Sequence, residues 1–130
     1  MQYAGLAGTI FLEVQGTDSK LVETTMDLAI SGIKKEDSVE VKKTERYEVE
    51  EEDGVYSTAC EVELEGNLHA FFKISLKYTP SSFEIHRPDE ITIDLEQAHE
   101  ILADICLASQ QLHSKLISLI KQGRKPMENE

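Results

Sequence analysis

Apolar and polar positions recur with two different periods along the chain, and each switch between them marks an element. Residues 7–15, Ala-Gly-Thr-Ile-Phe-Leu-Glu-Val-Gln, are rich in β-branched and aromatic side chains and end at Gly16, which predicts a first strand. From Asp18, an N-cap by residue type, the apolar positions Leu21, Val22, Met26, Ala29, Ile30 and Ile33 recur at intervals of three and four. That spacing puts them on one side of a helix over 18–33, with Gly32 close to its end.

Between 38 and 78 the period returns to two. Val39, Val41, Tyr47 and Val49 alternate with Glu40, Lys42, Thr44, Arg46 and Glu48, and Asp53-Gly54 follows. A type I′ hairpin turn needs positive φ at both central residues, which an Asp-Gly pair tolerates. A two-residue loop there sets Arg46 opposite Glu61, Lys42 opposite Glu65, Tyr47 opposite Cys60 and Val49 opposite Thr58, so that opposite charges meet on one face. A three-residue loop at Glu65-Gly66-Asn67, with Asn67 left-handed, then pairs Val62 with Ala70, Cys60 with Phe72 and Tyr56 with Leu76. The expectation is a three-stranded antiparallel meander of about 11 residues per strand, each about 36 Å long. Its core face carries Tyr47, Cys60, Val62, Leu64, Phe72, Ile74 and Leu76; its other face carries Arg46, Glu61, Glu63, Lys73 and Lys77.

Thr79-Pro80-Ser81-Ser82 reads as a loop, Phe83 to His86 as a short edge strand and Arg87-Pro88-Asp89-Glu90 as a turn. Asp94 and Gln97 form a capping pair that opens a long helix, and Gly123 followed by Pro126 closes it. Its roughly 28 residues span about 42 Å. The fold class is α+β, in the order β-α-β-β-β-(β)-α, with the helices on one face of an antiparallel sheet. Residues 1–123 form a single domain and 124–130 a disordered tail.

Composition narrows the partners. The chain has 130 residues, with 25 acidic and 13 basic side chains and a formal net charge of -12. Its bases are interleaved with a larger number of acids, so neither nucleic acid nor an anionic membrane is an expected partner. The apolar run Leu6 to Val14 has no Lys or Arg before it and is interrupted by Glu13, which suits a strand and not a signal peptide. No stretch reaches the ~20 apolar residues of a membrane span, and the expected compartment is the cytoplasm. Cys60 and Cys106, without metal-ligand spacing, read as two reduced core thiols.

The long helix carries more apolar surface than one small sheet covers. Leu95, Ala98, Leu102, Ile105, Ser109, Leu112, Leu116 and Leu119 form a 3-4-3-4 seam that suits packing on the sheet. Ile101, Cys106, Ala108, Ile117 and Ile120 fall outside it, and with Ile101, Ala108, His113, Ile117 and Ile120 as contact residues, helix-to-helix packing around a twofold axis predicts a dimer or tetramer. Ile117 and Ile120 are the side chains a monomer would strand.

Local catalytic signatures such as G-x-S-x-G, H-E-x-x-H and phosphate-binding glycine loops do not occur, and the sequence implies no cofactor or metal. Glu96-Gln97-Ala98-His99 has the Glu-x-x-His spacing of di-iron bundles without the second pair such sites need. Glu84, His86 and Arg87, beside Asp89 and Glu90, are the densest mixed cluster: a His near carboxylates suits a general base, and an Arg suits an anionic ligand. The leading expectation is a non-enzymatic adaptor that self-associates through its long helix and binds a protein or peptide. A long-stranded meander followed by a long helix, over residues 38–122, resembles the architecture of SecB-type secretion chaperones. That likeness implies peptide binding, and the helix over 18–33 departs from it. A third class is a small enzyme with its site at a subunit boundary near His86 and Arg87.

Overall fold

A computed structural model describes residues 5–128, with side chains through Gly123. Eight elements follow one another: β1 (Leu6–Gly16), α1 (Ser19–Lys34), β2 (Val39–Arg46), β3 (Glu50–Glu52), β4 (Val55–Gly66), α2 (Leu68–Tyr78), β5 (Ser82–Arg87) and α3 (Leu95–Glu128). Met1–Thr92 and Ile93–Glu130 are two compact units, described in turn. The α+β class, the antiparallel sheet, the N-terminal helix and the long C-terminal helix all stand as the sequence predicts.

The sheet is organised by β1 and β4, which pair antiparallel along their whole length, from Leu6 opposite Gly66 to Gly16 opposite Tyr56. In that register Ile10 lies opposite Val62 and Leu12 opposite Cys60, and all four are buried. Onto this face pack Met26 and Ile33 of α1 and Phe71 and Ile74 of α2. Each such side chain contributes on the order of 1.5–3 kcal/mol by leaving water. Asp18 caps α1 by accepting from the backbone N–H of Lys20 and Leu21 at 2.9 and 3.3 Å.

The strand order is β2-β4-β1-β5, with β3 continuing the β2 side of β4. α1 thus joins two strands that flank β4, and α2 joins two strands that flank β1. Two interlocked split β-α-β units are the topology of ferredoxin-like domains. β5 is an edge strand, as predicted.

The third strand of the expected meander is instead the helix α2. A strand has two edges; β1 occupies one edge of β4, and β2 with β3 occupies the other, so no edge remains for residues 68–78. Helical spacing also buries Ala70, Phe71 and Ile74 together, and the Phe71 and Phe83 rings meet at 4.8 Å. Asn67 is not a left-handed turn residue but the α2 N-cap, accepting from Ala70 N–H at 2.7 Å. Of the expected core face, Tyr47 and Leu76 are exposed and Phe72 is half-buried. The meander that carried the likeness to SecB-type chaperones is not formed.

The Asp53-Gly54 turn stands: both residues have positive φ, 53° and 81°, and Glu52 pairs with Val55. The register beyond it does not. Tyr47 still donates its backbone N–H to the Ala59 carbonyl at 2.9 Å, but Glu48 and Val49 leave the ladder, and Arg46 falls opposite Cys60 and Glu45 opposite Glu61. An irregularity between Val41 and Lys43 then sets Glu40, not Lys42, opposite Glu65. Arg46 accordingly turns to the helix side, where Nη1 donates to Asp27 at 2.6 Å and Nη2 to the Glu23 carbonyl at 3.2 Å. Gly8 answers a different constraint: a Cβ there would stand 2.5 Å from the Glu84 carbonyl oxygen, so the β1–β5 contact requires glycine.

α1 and α2 are also tied at their ends. Glu36 accepts from Lys77 Nζ at 2.9 Å and from Tyr78 Oη at 2.8 Å. The Lys77 bond is the main reason the Glu36 carboxyl lies below its ordinary value of 4.5, against the opposing effect of burial. In the second unit, Asp94 N–H donates to Gln97 Oε1 and Gln97 N–H to Asp94 Oδ1, the reciprocal cap the sequence predicts. α3 runs past the expected stop at Gly123 and Pro126, so residues 124–128 of the expected tail belong to it, while 129–130 lie outside the described residues.

Two expectations follow for solution measurements. Asn67→Ala, which removes the α2 cap, lowers unfolding free energy by about 1 kcal/mol in urea denaturation; a strand at 68–78 would leave it almost unchanged. Because the Glu36 pKa is depressed on folding, its contribution is present above the unfolded value and lost as pH falls through the folded one. Glu36→Gln should therefore flatten the acid limb of the stability profile below about pH 4.5 while lowering stability at neutral pH.

Candidate functional site

The sheet has one face covered by α1 and α2 and one turned away from them. On the second face the pairing of β5 with β1 decides which side chains meet. Glu84 lies opposite Thr9 and Arg87 opposite Ala7, but Ile85 lies opposite Gly8, so His86 is an extra residue in β5. Such a bulge breaks the alternation and brings neighbouring side chains to the same side. His86 bonds to Thr9 through Nε2 and Oγ1 at 2.8 Å. Arg87 reaches past β1 to Glu65 of β4 at 2.9 Å.

The cluster read from the sequence is thus only partly brought together. Glu84, His86 and Arg87 share an edge and are all exposed. Among the described residues no hydrogen bond joins His86 to Glu84, and the Arg87 guanidinium already has a carboxylate partner. Asp89 lines, with His86, Leu6, Ile85, Pro88 and Ile91, an open cleft of about 330 Å³, while Glu90 is exposed. A general base needs a substrate-enclosing site around it, and this edge supplies an imidazole in a shallow rim.

The same sheet face holds groups that periodicity did not bring together. Glu45 stands directly opposite Glu61, and Glu40 directly opposite Glu65. The Phe11 and Tyr47 rings lie 6.2 Å apart. The Tyr47 hydroxyl is held above its ordinary value, first by desolvation and then by the negative charge of Glu45 and Glu61. The signal for these contacts lies in the bulge near Lys42 and the departure after Tyr47, neither of which leaves a mark on residue type.

Of the helix residues expected at a subunit contact, Ile101 is buried and Ala108 half-buried, while His113, Ile117 and Ile120 are exposed. The seam expected to pack on the sheet is largely exposed as well, including Leu95, Leu102, Leu112, Leu116 and Leu119. Cys60 is a core thiol whose pKa burial pushes up; Cys106 is exposed, not a core thiol, and both are free. Glu96 and His99 lie in the first turns of α3. Among the described residues no helix is long and apolar enough to cross a membrane.

Residues 8–128 match the sequence profile of the MJ0538 family. The chain belongs to the MJ0538 family. The match begins inside β1, at Gly8, and runs through every later element to the end of α3. No curated protein and no solved structure matches this MJ0538-family chain.

Arg87→Ala and His86→Ala each remove one exposed partner from the sheet edge. Each is expected to lower stability by about 1 kcal/mol or less in urea denaturation. A loss several times larger would mean that the β5 edge is a structural keystone.

Proposed function

We propose that this protein is a non-enzymatic interaction or adaptor protein of the cytoplasm that works as an oligomer, with α3 as the contact between copies. One observation carries the reading: α3 holds Leu112, Leu116, Ile117, Leu119 and Ile120 exposed within three turns, each with 42–60% of its surface in water. A contiguous apolar surface of this kind is costly to leave in water and marks an interaction site. A second copy of the chain, related by a twofold axis, can cover this surface without any further partner. The free thiols Cys60 and Cys106 suit a reducing compartment.

The peptide-binding reading draws on a different feature, an apolar cleft of about 190 Å³ between α2 and β5 lined by Leu68, Phe71, Phe72, Ser75, Phe83 and Ile85. It is large enough for one side chain of a bound segment and too small for an extended client.

Light scattering across a concentration range is expected to give a dimer or tetramer mass instead of 14.6 kDa. Ile117→Glu with Ile120→Glu should bring the mass to that of a monomer with an unchanged circular dichroism spectrum. A native protein that stays monomeric throughout, or a double variant that unfolds, overturns the reading.

A further inference from the structure

We infer that the second half of α3 of one copy docks on the acidic sheet face of another copy, the face turned away from α1 and α2. The inference rests on the oligomer proposed above and names the surface that α3 meets. Charge is what selects it. Between Asp104 and Glu128 the chain has no acidic residue and carries Lys115, Lys121, Arg124 and Lys125, although the net charge of the whole chain is -12. Lys115 and Lys121 are exposed, as are Leu112, Leu116, Leu119 and Ile120 beside them. This half of the helix is therefore amphipathic and cationic, in a protein that is otherwise strongly anionic.

The sheet face turned away from α1 and α2 has the complementary character. In the β2–β4 ladder Glu45 opposes Glu61 and Glu40 opposes Glu65, like charges that repel one another, with the opposite-charge pair Lys43 and Glu63 between them. Lys42 pairs with Glu40 and Arg87 with Glu65, but among the described residues no ion pair offsets Glu45 against Glu61. Half-buried Thr9 and Phe11 lie on the same face and give an apolar side chain somewhere to pack. Lengths agree too: 105–127 spans about 34 Å as a helix, and the 11 and 12 residues of β1 and β4 extend about 37–41 Å. Packing two second halves against each other would set cation against cation; packing each on the partner's sheet relieves the repulsion between carboxylates and closes a twofold dimer with two equal contacts.

Salt separates the two arrangements by sign. Screening shortens from about 10 Å at 0.1 M to about 3 Å at 1 M, so a helix-on-sheet dimer should weaken by tenfold or more across that range, whereas a cation-on-cation helix pair should tighten. Charge reversal tests the surfaces themselves, read by light scattering. Glu61→Lys with Glu63→Lys should dissociate the dimer, and so should Lys115→Glu with Lys121→Glu; mixing the two variants should restore a dimer, because each then offers the face the other needs. A dimer that resists Glu61→Lys with Glu63→Lys yet is lost in Ile117→Glu with Ile120→Glu overturns this inference and leaves the oligomer standing. A native monomer at every concentration and salt overturns both. Should the Glu61→Lys, Glu63→Lys variant not fold, the salt titration of the native protein decides alone: tightening with salt overturns the inference.

Discussion

The full-length pairing of β1 with β4 is the constraint on which the rest of the fold depends. Because each residue from Leu6 to Gly16 has a partner on β4, one edge of that strand is consumed from end to end. β2 and β3 take the other edge, and the chain that leaves β4 at Gly66 must then leave the sheet. α2 is the result, and its Phe71 and Ile74 complete the layer that α1 begins. β5 returns on the far side of β1, where Gly8 admits the backbone of Glu84. A pairing between residues far apart in sequence thus decides the conformation of a segment that takes no part in it.

That dependence explains what was legible in the sequence. β1, α1, the Asp53-Gly54 turn, β5 and the α3 cap each follow from residues within a few positions of one another, and each is found where local chemistry puts it. Residues 68–78 satisfy both periods: Leu68, Ala70, Phe72, Ile74 and Leu76 alternate, while Ala70, Phe71, Ile74 and Tyr78 fall on one side of a helix. Only the occupancy of β4's edges separates the two, and periodicity carries no information about edges. The register of β2 was lost for a related reason, since a bulge at Lys42 and a break after Arg46 cost little in residue type and shift every partner beyond them. The Glu84, His86 and Arg87 cluster was visible as composition, but its actual partners, Thr9 and Glu65, come from strands that only the topology brings near.

Surface character is divided as sharply as the topology. One sheet face is closed by two helices, and the other sets two pairs of carboxylates opposite one another across the β2–β4 ladder, on either side of Lys43 opposite Glu63. The last helix segregates charge in the opposite sense and leaves its leucines in water. Neither property helps an isolated chain: opposed carboxylates raise the energy of the folded state, and exposed leucines invite association. The match to the MJ0538 family, over residues 8–128, extends across both features.

The order of synthesis gives the β1–β4 pairing a further consequence. β1, with Leu6, Ile10 and Leu12 to bury, leaves the ribosome well ahead of β4, which ends at Gly66. At about 5–20 residues per second, several seconds of elongation separate the two strands. Throughout that interval β1 has neither its hydrogen-bonding partner nor the apolar face of β4. The nascent chain of a protein whose mature core is sealed therefore passes through a stage in which its most apolar strand is unpaired, and whatever shields that strand acts before any surface of the finished molecule exists.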